Sequence, residues 1–436
     1  MKKEIINIGL IGFGTIGIGV VKVLQKNIDI IERRIGAKLV LKKIADIDID
    51  KERDVKVDKK ILTKDAYDII NDPDIDIVIE LVGGIEPAFT FVLSAMKNKK
   101  HVVTANKAIL ARHWEKIMNT AKENEVDIYL EASVCGGIPL IQALNDGLAA
   151  NNINSIYGIV NGTTNYILTK MEEEKKDYRE VLKDAQKKGF AEADPSFDID
   201  GIDSAHKLAI LASIAFDVNV KLEDIHTEGI SRITRKDIID VKEEFGFVVK
   251  LLAIAKFTKG ELEIRVHPAL IPENHLLASV RNEYNGIYIT GDAVGSLMLY
   301  GLGAGQLPTA SAIISDIIFI ARNISEGVAG KVPSIYYSQD KQHKKIREIT
   351  ETNFRYYLRF ILLDKPGVLS TISGVLGKYG ISIASVIQKE RKEGDKVPVI
   401  ITTYEAKEER IRLAIDEIDK LPVVKEKTFL IRILDI

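Results

Sequence analysis

The chain has 436 residues, with 61 basic and 63 acidic side chains and a formal net charge of −2 at pH 7. This length is enough for two or three domains with cores of their own. The charges are interspersed and form no basic stripe with aromatic residues between them, which argues against nucleic acid as a partner. A single cysteine, Cys135, excludes a disulfide framework and a thiolate zinc site and is typical of a cytoplasmic protein.

Two apolar stretches could be confused with targeting or membrane segments. The N-terminal run is interrupted by glycines from residue 9 to residue 19, and no small-residue cleavage site follows it. The run 310–321 contains Asp316 and is too short to span a bilayer. We therefore predict no membrane partner.

The first domain, residues 1–133, alternates short apolar strands with amphipathic helices. We predict strands at 5–11, 39–45, 75–80, 102–104 and 127–131, and helices at 17–26, 86–98 and 109–124. This alternation predicts an α/β fold, a Rossmann-type doubly wound parallel sheet covered by helices on both faces.

A glycine-rich turn, Gly12-x-Gly14-x-x-Gly17, lies between the first strand and the first helix. Glycines at this spacing allow a tight turn and a close approach of the backbone to a pyrophosphate. The N–H groups at the start of the helix, including those of Thr15 and Ile16, then face the phosphates. The sequence therefore predicts dinucleotide binding.

Asp46 ends the second strand, where an acidic residue would accept hydrogen bonds from the ribose hydroxyls of NAD. It could equally be a turn residue, and Lys51 or Arg53 could meet the 2′-phosphate of NADP, so the choice of cofactor stays open with a modest preference for NAD. Thr104 and Lys107 follow the fourth strand, at the edge of the sheet that faces the ligand crevice. Lys107 is therefore a candidate for cofactor or substrate contact, the alternative being a surface lysine.

The second domain, residues 134–330, mixes helices (139–150, 165–174, 204–215) with strands (155–160, 262–268, 286–290), which predicts an α+β domain. The turn 131–139 contains two adjacent glycines and a proline. Such an irregular turn exposes carbonyl oxygens that can hold a monovalent cation, although a plain domain junction would look the same. Cys135 is more typical of a small filler there than of a nucleophile.

The segment 189–207 is unusually acidic, with carboxylates at Glu192, Asp194, Asp198, Asp200 and Asp203. Carboxylates this close repel one another unless a cation lies among them. A calcium loop does not fit, because a serine takes the first ligand position and a lysine takes the twelfth. The pattern favours an amine-bearing ligand, the alternative being a solvated acidic loop.

Lys207 follows Asp203 by four residues, so the two side chains share one face of a helix. A reduced carbonyl needs a proton and nearby positive charge, and Lys207 can supply both. Asn161, Thr163 and their neighbours end a strand and cap a helix, offering hydroxyl and N–H groups to a polar ligand.

Residues 331–353 are polar and charged and predict a linker. The last segment, 354–436, has the order β-α-β-β-α-β, which predicts a ferredoxin-like domain. In it, Gly367 lies at a strand-to-helix turn where backbone N–H groups can meet a carboxylate.

In this order, these motifs resemble the homoserine dehydrogenase family. The resemblance rests on GFGTIG at 12–17, TANKA at 104–108, EASVCGGIP at 131–139, NGTTNYIL at 161–168, GFAEADPSFDIDGIDSAHKLAIL at 189–211 and GLGAGQLPTASAIISD at 301–316. The C-terminal segment resembles an ACT domain, a regulatory module.

The resemblance implies the reversible, NAD(P)-dependent conversion of L-aspartate 4-semialdehyde to L-homoserine in threonine, methionine and isoleucine biosynthesis. It implies that Lys207 is the general acid and that Lys107 takes part in catalysis or cofactor contact. It also implies that the stretch 301–330 leads back to the cofactor domain and that Gly303 lies next to the cofactor. In the same way it implies that the substrate is bound by Thr163, Gly189, Glu192, Asp198 and Asp203. A sodium ion would be held by oxygens of Glu131, Val134, Gly136 and Ile138. The resemblance further implies a homodimer and an amino-acid effector at a separable ACT domain.

Two other hypotheses remain open. The chain could be a nucleotide-sensing regulator without activity, although a sensor has no need of Lys107, Asp203 and Lys207 together. It could also be a dehydrogenase of a different semialdehyde or hydroxy acid, because the acidic segment indicates an amine but does not count methylenes.

Overall fold

The computed structural model describes residues 3–336, 344–389 and 395–436. Its α-helices are α1 (Thr15–Ile35), α2 (Tyr67–Ile70), α3 (Ala88–Lys97), α4 (Lys107–Glu123), α5 (Leu140–Gln142), α6 (Gly162–Glu173), α7 (Tyr178–Lys187), α8 (Ser196–Ile199), α9 (Ile202–Phe216), α10 (Arg235–Phe245), α11 (Gln306–Ser325), α12 (Val368–Lys378) and α13 (Glu408–Ile418).

Its strands are β1 (Ile5–Ile11), β2 (Lys38–Ala45), β3 (Leu62–Thr63), β4 (Ile77–Glu80), β5 (His101–Thr104), β6 (Ile128–Tyr129), β7 (Ile153–Ile159), β8 (His226–Thr227), β9 (Phe247–Thr258), β10 (Glu261–Pro272), β11 (Tyr284–Gly291), β12 (Gly295–Leu302), β13 (Lys345–Arg347), β14 (Asn353–Leu363), β15 (Ile383–Ile387), β16 (Lys396–Thr403), β17 (Ala406–Lys407) and β18 (Val424–Ile433).

The chain divides into two compact units, each built from several stretches of sequence. The first unit comprises Met1–Gly162, Asp203–Ile225 and Glu283–Lys344, and the second comprises Thr163–Ile202, His226–Asn282 and Lys345–Ile436. The domain boundaries expected from the sequence remain predictions, because compact contact units need not coincide with folding domains.

The first unit contains a parallel sheet with the strand order β3-β2-β1-β4-β5-β6. On β1, Ile8 and Leu10 belong to the core cluster that α1 and α11 complete. Gly9 points to the other face, where an added Cβ would lie 2.3 Å from Ile69 of α2. Helices therefore cover both faces, which confirms the predicted doubly wound fold.

Helix α11 is a core helix of the first unit. By length and composition alone it could cross a membrane. However, Ile313, Ile317 and Ile320 are fully buried in the cluster shared with α1. Its apolar character therefore reflects burial in protein. The first unit also contains the antiparallel ribbon β7-β11-β12.

The second unit contains a mixed sheet with the strand order β9-β10-β18-β14-β16-β15. Within it, β14, β15, β16 and β18 with helices α12 and α13 form the predicted ferredoxin-like unit. Strand β18 also pairs in parallel with β10, placing Arg432 opposite Ala269. The last strand of the chain is thus hydrogen-bonded to a strand that precedes it by about 160 residues in sequence.

Three local expectations differ from the structure. The first helix, expected at 17–26, extends from Thr15 to Ile35. The helix expected at 139–150 is α-helical only over Leu140–Gln142, and Ala143–Gly147 form a wider, π-helical turn. Asn145, Asp146 and Gly147 are weak formers of an α-helix. Within the expected linker, residues 345–347 form β13 and pair with β10. Residues 337–343 of that linker lie outside the described residues.

Candidate active site

The first unit brings two lysines to one buried carboxylate, that of Asp203. Lys207 Nζ lies 2.8 Å from Asp203 Oδ2, and Lys107 Nζ lies 3.1 Å from Asp203 Oδ1. Asn161 Nδ2 also donates to Asp203 at 2.8 Å, and Lys207 Nζ donates to the Val160 carbonyl at 2.6 Å. The structure therefore assembles three of the predicted residues, and it adds Asn161 as the neutral partner that the NGTT motif supplies.

Local sequence explains how each lysine reaches this position. Asp203 and Lys207 lie one turn apart on α9. Lys107 is the first residue of α4, whose N-cap Asn106 accepts hydrogen bonds from the backbone N–H groups of Ala108 and Ile109. The Asn106 amide also donates to the carbonyls of residues 82 and 84. These bonds fix the β5–α4 junction, and with it the Cα of Lys107.

Electrostatics keep Asp203 ionised. Burial by itself would raise the pKa of its carboxyl, but the ammonium groups of Lys207 and Lys107 outweigh burial and hold that pKa well below its ordinary value. One carboxylate between two ammonium groups leaves a net positive charge at the site. The side chain of Lys207 is 11 % exposed and that of Lys107 is 35 % exposed. A ligand can therefore approach Lys107 more openly than Lys207.

The glycine turn has the geometry that the motif predicts. Gly12 has a φ of 99°, and an added Cβ would lie 2.7 Å from the Leu81 carbonyl oxygen. At Gly17, an added Cβ would lie 2.3 Å from the Gly12 oxygen. Helix α1 begins at Thr15, so the N–H groups of its first turn have no acceptor within the helix. This turn can therefore cradle a pyrophosphate.

Asp46 and Arg53, two of the three candidates for the ribose position, form an ion pair with each other. Asp46 Oδ2 accepts from the Phe13 N–H at 2.6 Å, and its Oδ1 lies 3.2 Å from Arg53. Arg53 donates from Nε to the Phe13 carbonyl at 2.8 Å, and its guanidinium lies 4.7 Å from the Phe13 ring centroid. Both charged side chains therefore bind the backbone of the glycine turn at Phe13 and pair with each other.

A buried acid that the sequence analysis missed lies beside Thr104. Thr104 Oγ1 donates to Glu80 Oε2 at 2.6 Å, and the Val82 N–H donates to Oε1 at 2.6 Å. Burial raises the pKa of Glu80 to about 7, although these hydrogen bonds oppose the shift. The signal in the sequence was a lone acid that ends the apolar strand β4.

The turn expected to hold a cation uses its one carboxylate internally. The Glu131 carboxylate accepts from the N–H groups of Ile141 and Gln142, each at 2.8 Å. Cys135 and Gly136 have φ values of 55° and 36°. Among the described residues no group of three or more His, Cys, Asp or Glu side chains could hold a metal. A cation here would therefore rest on backbone carbonyls, a donor set that fits a hard monovalent ion better than a transition metal.

Gly303 packs closely against this turn. An added Cβ on Gly136 would lie 2.8 Å from the Gly303 oxygen, and one on Gly303 would lie 1.6 Å from Asn285 Oδ1. Asn285 is 1 % exposed, and its amide has no hydrogen-bond partner among the described residues. The glycine at 303 is therefore required for space.

The remaining substrate candidates lie in the second unit. Thr163 Oγ1 donates to the Phe190 carbonyl at 2.7 Å, which ties the NGTT motif to the segment that begins at Gly189. The Glu192 carbonyl accepts from Gln186 at 3.0 Å, and its side chain is exposed. Asp198 lies in the short helix α8. These four residues therefore belong to the second unit, while Asp203 belongs to the first.

A Rossmann-type sheet with a dinucleotide turn, together with a lysine–aspartate–lysine cluster, defines a nicotinamide-dependent oxidoreductase. Family models match residues 12–131 (homoserine dehydrogenase, NAD binding domain), 139–318 (homoserine dehydrogenase) and 356–423 (ACT domain).

Curated relatives give the same result over the full length. The chain is 44% identical to the homoserine dehydrogenase of Synechocystis sp., covering 98% of this chain and 99% of that one. It is 41% identical to the homoserine dehydrogenase of Bacillus subtilis, covering 97% and 96%. The chain belongs to the homoserine dehydrogenase family and interconverts L-aspartate 4-semialdehyde and L-homoserine.

Solved structures extend the comparison. A homoserine dehydrogenase from Thiobacillus denitrificans superposes with a TM-score of 0.93 at 40% identity, over 100% of both chains. A hyperthermophilic archaeal homoserine dehydrogenase mutant, solved in complex with NADPH, gives a TM-score of 0.62 at 27% identity, over 72% of this chain and 97% of that one.

Proposed function

We propose that Lys207 is the residue that protonates the carbonyl oxygen of aspartate 4-semialdehyde during reduction. The nicotinamide cofactor supplies the hydride. As the carbonyl carbon accepts it, the oxygen becomes an alkoxide and needs a proton from a nearby donor. Lys207 is supported in this role because its Nζ is held between Asp203 Oδ2 and the Val160 carbonyl, at 2.8 and 2.6 Å. This fixed ammonium is the observation that carries the proposal.

Lys107 and Asp203 complete the proposed site. Lys107 lies 3.1 Å from the other oxygen of Asp203, so its charge stabilises the alkoxide without having to give up a proton. Asp203 orients both ammonium groups and keeps them from repelling each other. In homoserine oxidation the roles reverse, and Lys207 accepts the hydroxyl proton.

The proposed amino-acid contacts are Thr163, Gly189, Glu192 and Asp198, with Asp203. Carboxylates on this segment suit the α-ammonium of the substrate. The proposal is supported by the Thr163–Phe190 hydrogen bond, which gathers two otherwise distant motifs in one unit.

For the cofactor we propose NAD in preference to NADP. The carboxylate of Asp46 lies at the end of β2, where it would repel a 2′-phosphate. Arg53 opposes this preference, but its guanidinium is engaged with Asp46 and with the Phe13 carbonyl. A sodium ion held by carbonyls of Glu131, Val134, Gly136 and Ile138 is proposed as a structural ion of the neighbouring turn.

An amino-acid effector is proposed for the ACT domain. A cavity of about 290 Å³ lies between β14 and α12, lined by residues that include Asp364, Gly367 and Gln388. Gly367 has a φ of 87° and precedes the first turn of α12, whose N–H groups suit a carboxylate. The size suits one small amino acid. We further propose a cytoplasmic homodimer.

Substitution of Asp203 by Asn tests the proposed site. The amide keeps the shape but removes the charge that holds two lysines, so homoserine oxidation should lose at least about tenfold in kcat. Cofactor affinity, measured by fluorescence titration, should stay within about twofold, since the contacts of Asp203 are with Lys107, Lys207 and Asn161 and not with the glycine turn. A kcat close to that of the unmodified protein would reject the assigned role of Asp203.

A further inference from the structure

The last strand of the chain carries a fully buried arginine that is surrounded by carboxylates. Arg432 is 0 % exposed and donates to Glu408 through Nε and Nη2, at 2.9 and 2.7 Å. It also donates to Glu228 through Nη1 and Nη2, at 2.8 and 3.0 Å. Arg412 completes the network with contacts to the same two glutamates, at 2.8 and 2.6 Å. We call these four residues the Arg432 network.

Each charged group of the Arg432 network has hydrogen-bond partners within the network, and the positive and negative charges are equal in number. Two guanidinium groups face two carboxylates. Burial alone would raise the pKa of Glu228, but hydrogen bonds from His226 and Arg432 outweigh it and lower that pKa. His267 lies beside the network, and burial together with Arg432 lowers its pKa well below the ordinary value, so it stays neutral. A network of this kind fixes its members in one arrangement.

Glu228 links this network to the acidic segment. The next residue, Gly229, lies so close to that segment that an added Cβ would be 2.3 Å from the Ile199 carbonyl oxygen. The Ile230 N–H donates to the same oxygen at 2.9 Å. An added Cβ on Gly201 would lie 3.1 Å from Thr227 Cγ2. Residues 227–230 therefore form the surface against which residues 199–201 pack.

The contact at Ile199 is connected to Asp198 through the backbone hydrogen bonds of α8. The Asp200 and Gly201 N–H groups donate to Ser196 and Asp198 carbonyls, each at 3.0 Å. The backbone of α8 and its following turn is therefore continuous with the contact made by Ile199. A shift of residues 228–230 would move Asp198 by way of Ile199.

A second buried ion pair in the same unit offers a comparison. Arg359 on β14 donates to Asp237 of α10 at 2.8 Å, and Tyr357 donates to the same oxygen at 2.9 Å. Asp237 is 0 % exposed and otherwise caps its own helix at Thr234. Among the described residues this pair makes no hydrogen bond to 196–203. It joins the C-terminal strands to α10 as Arg432 joins them to Glu228, but without a described hydrogen bond to residues 196–203.

We infer that Arg432, through Glu228, is a positioning residue for the substrate-binding segment 196–201. The inference rests on the proposed role of Asp198 in substrate binding. Arg432 lies on β18, the last strand of the ferredoxin-like unit, so the C-terminal module contributes to substrate affinity in the absence of any effector. Arg432 itself touches neither substrate nor cofactor.

Three full-length variants, Arg432→Met, Arg432→Lys and Arg359→Met, test the inference. Arg432→Met should raise the KM for homoserine about tenfold and leave kcat and the cofactor KM within about twofold, because ground-state positioning is lost. Arg432→Lys should recover part of the affinity, since a lysine makes some of the contacts but not the bidentate ones. Arg359→Met should lower Tm and leave the homoserine KM unchanged.

Hydrogen–deuterium exchange gives a readout that does not depend on the substrate assignment. Amides of 199–201 and 228–230 should exchange faster in Arg432→Met and at the unmodified rate in Arg359→Met. Faster exchange together with an unchanged homoserine KM would support the positioning contact and reject the substrate role of Asp198. Unchanged exchange, or an equal rise in homoserine KM in both Met variants, would overturn the inference.

Arg432→Met could fail to fold, because it leaves the buried carboxylate of Glu408 and the partly exposed one of Glu228 with one guanidinium fewer. Arg412→Met tests the inference in that case, because the Arg412 side chain is 45 % exposed and the substitution leaves Arg432 in place. It should raise the homoserine KM in the same direction by a smaller factor, about threefold. No change in KM and no change in exchange for Arg412→Met, with Arg432→Met unfolded, would also overturn the inference.

Discussion

Replacement of Lys207 by Met separates the two lysines of the active site. Methionine has nearly the same length and removes only the ammonium group. Asp203 keeps Lys107 at 3.1 Å and Asn161 at 2.8 Å, so it does not become an unpaired buried charge. The Val160 carbonyl loses a donor, which should cost about 1 kcal/mol of stability. The fold should therefore survive, and the loss should fall on chemistry.

The expected size of that loss follows from the role of a proton donor. A positioned general acid contributes about 10²–10⁴ in rate, so kcat should fall at least about a hundredfold, or about 2.7 kcal/mol. The matched variant Lys107→Met removes a side chain that is 35 % exposed and that pairs with Asp203. It should lose less in kcat, about tenfold, because it removes charge stabilisation without removing the proton.

The assay follows homoserine oxidation by nicotinamide absorbance at saturating substrate, with cofactor affinity measured separately by fluorescence. Cofactor affinity should change little in Lys207→Met. If Lys207→Met keeps kcat within about tenfold while Lys107→Met loses more, the roles of the two lysines are reversed and the reasoning from burial fails.

Three further predictions concern the cofactor, a buried lysine and the C-terminal module. Asp46 should give a higher kcat/KM with NAD than with NADP, and Asp46→Asn should narrow that gap; an NADP preference in the unmodified protein would show that basic residues dominate the ribose position. Burial lowers the pKa of Lys250 from 10.5 to about 7, so the unfolded chain binds more protons between these values and the free energy of unfolding should rise with pH across that range. Lys250→Met should remove that rise in urea titrations at pH 7, 8 and 9, and an equal slope in both proteins would show that burial does not lower the pKa of Lys250. A chain ending at residue 344 should be unstable, because β10 loses its pairing with β18, and Glu228 and Asp237 lose the contacts with Arg432 and Arg359. The sequence alone favours a separable module, and an active truncated protein with an unchanged Tm would support that expectation.

Local pattern determined a large part of this structure. Strand β1 has the predicted limits, Ile5–Ile11, because apolar spacing and flanking glycines act over a few residues. The glycine turn at Gly12 follows from the same local logic, since only a residue without a side chain fits its φ and its contact with Leu81. The spacing of Asp203 and Lys207 predicted their contact, because residues four apart on a helix are neighbours.

Strand β9 shows where local pattern is insufficient. Phe247–Thr258 is almost wholly buried and apolar, so its periodicity does not distinguish a buried strand from a buried helix. Its strand conformation is fixed by antiparallel pairing with β10 along its whole length. The acid at Glu80 was missed for a related reason, since its burial depends on neighbours from other strands.

Contacts between distant residues were decided only by the tertiary structure. Lys107 and Asp203 share an ion pair although 96 residues separate them, and Asp46 meets Arg53 and Phe13 instead of open solvent. The pairing of β18 with β10 likewise brings Arg432 to Glu228 across 204 residues. Short-range periodicity specifies which face of an element is buried, but not which partner covers it. That choice depends on the packing of the whole chain, where hydrogen bonds and charges must all be satisfied together.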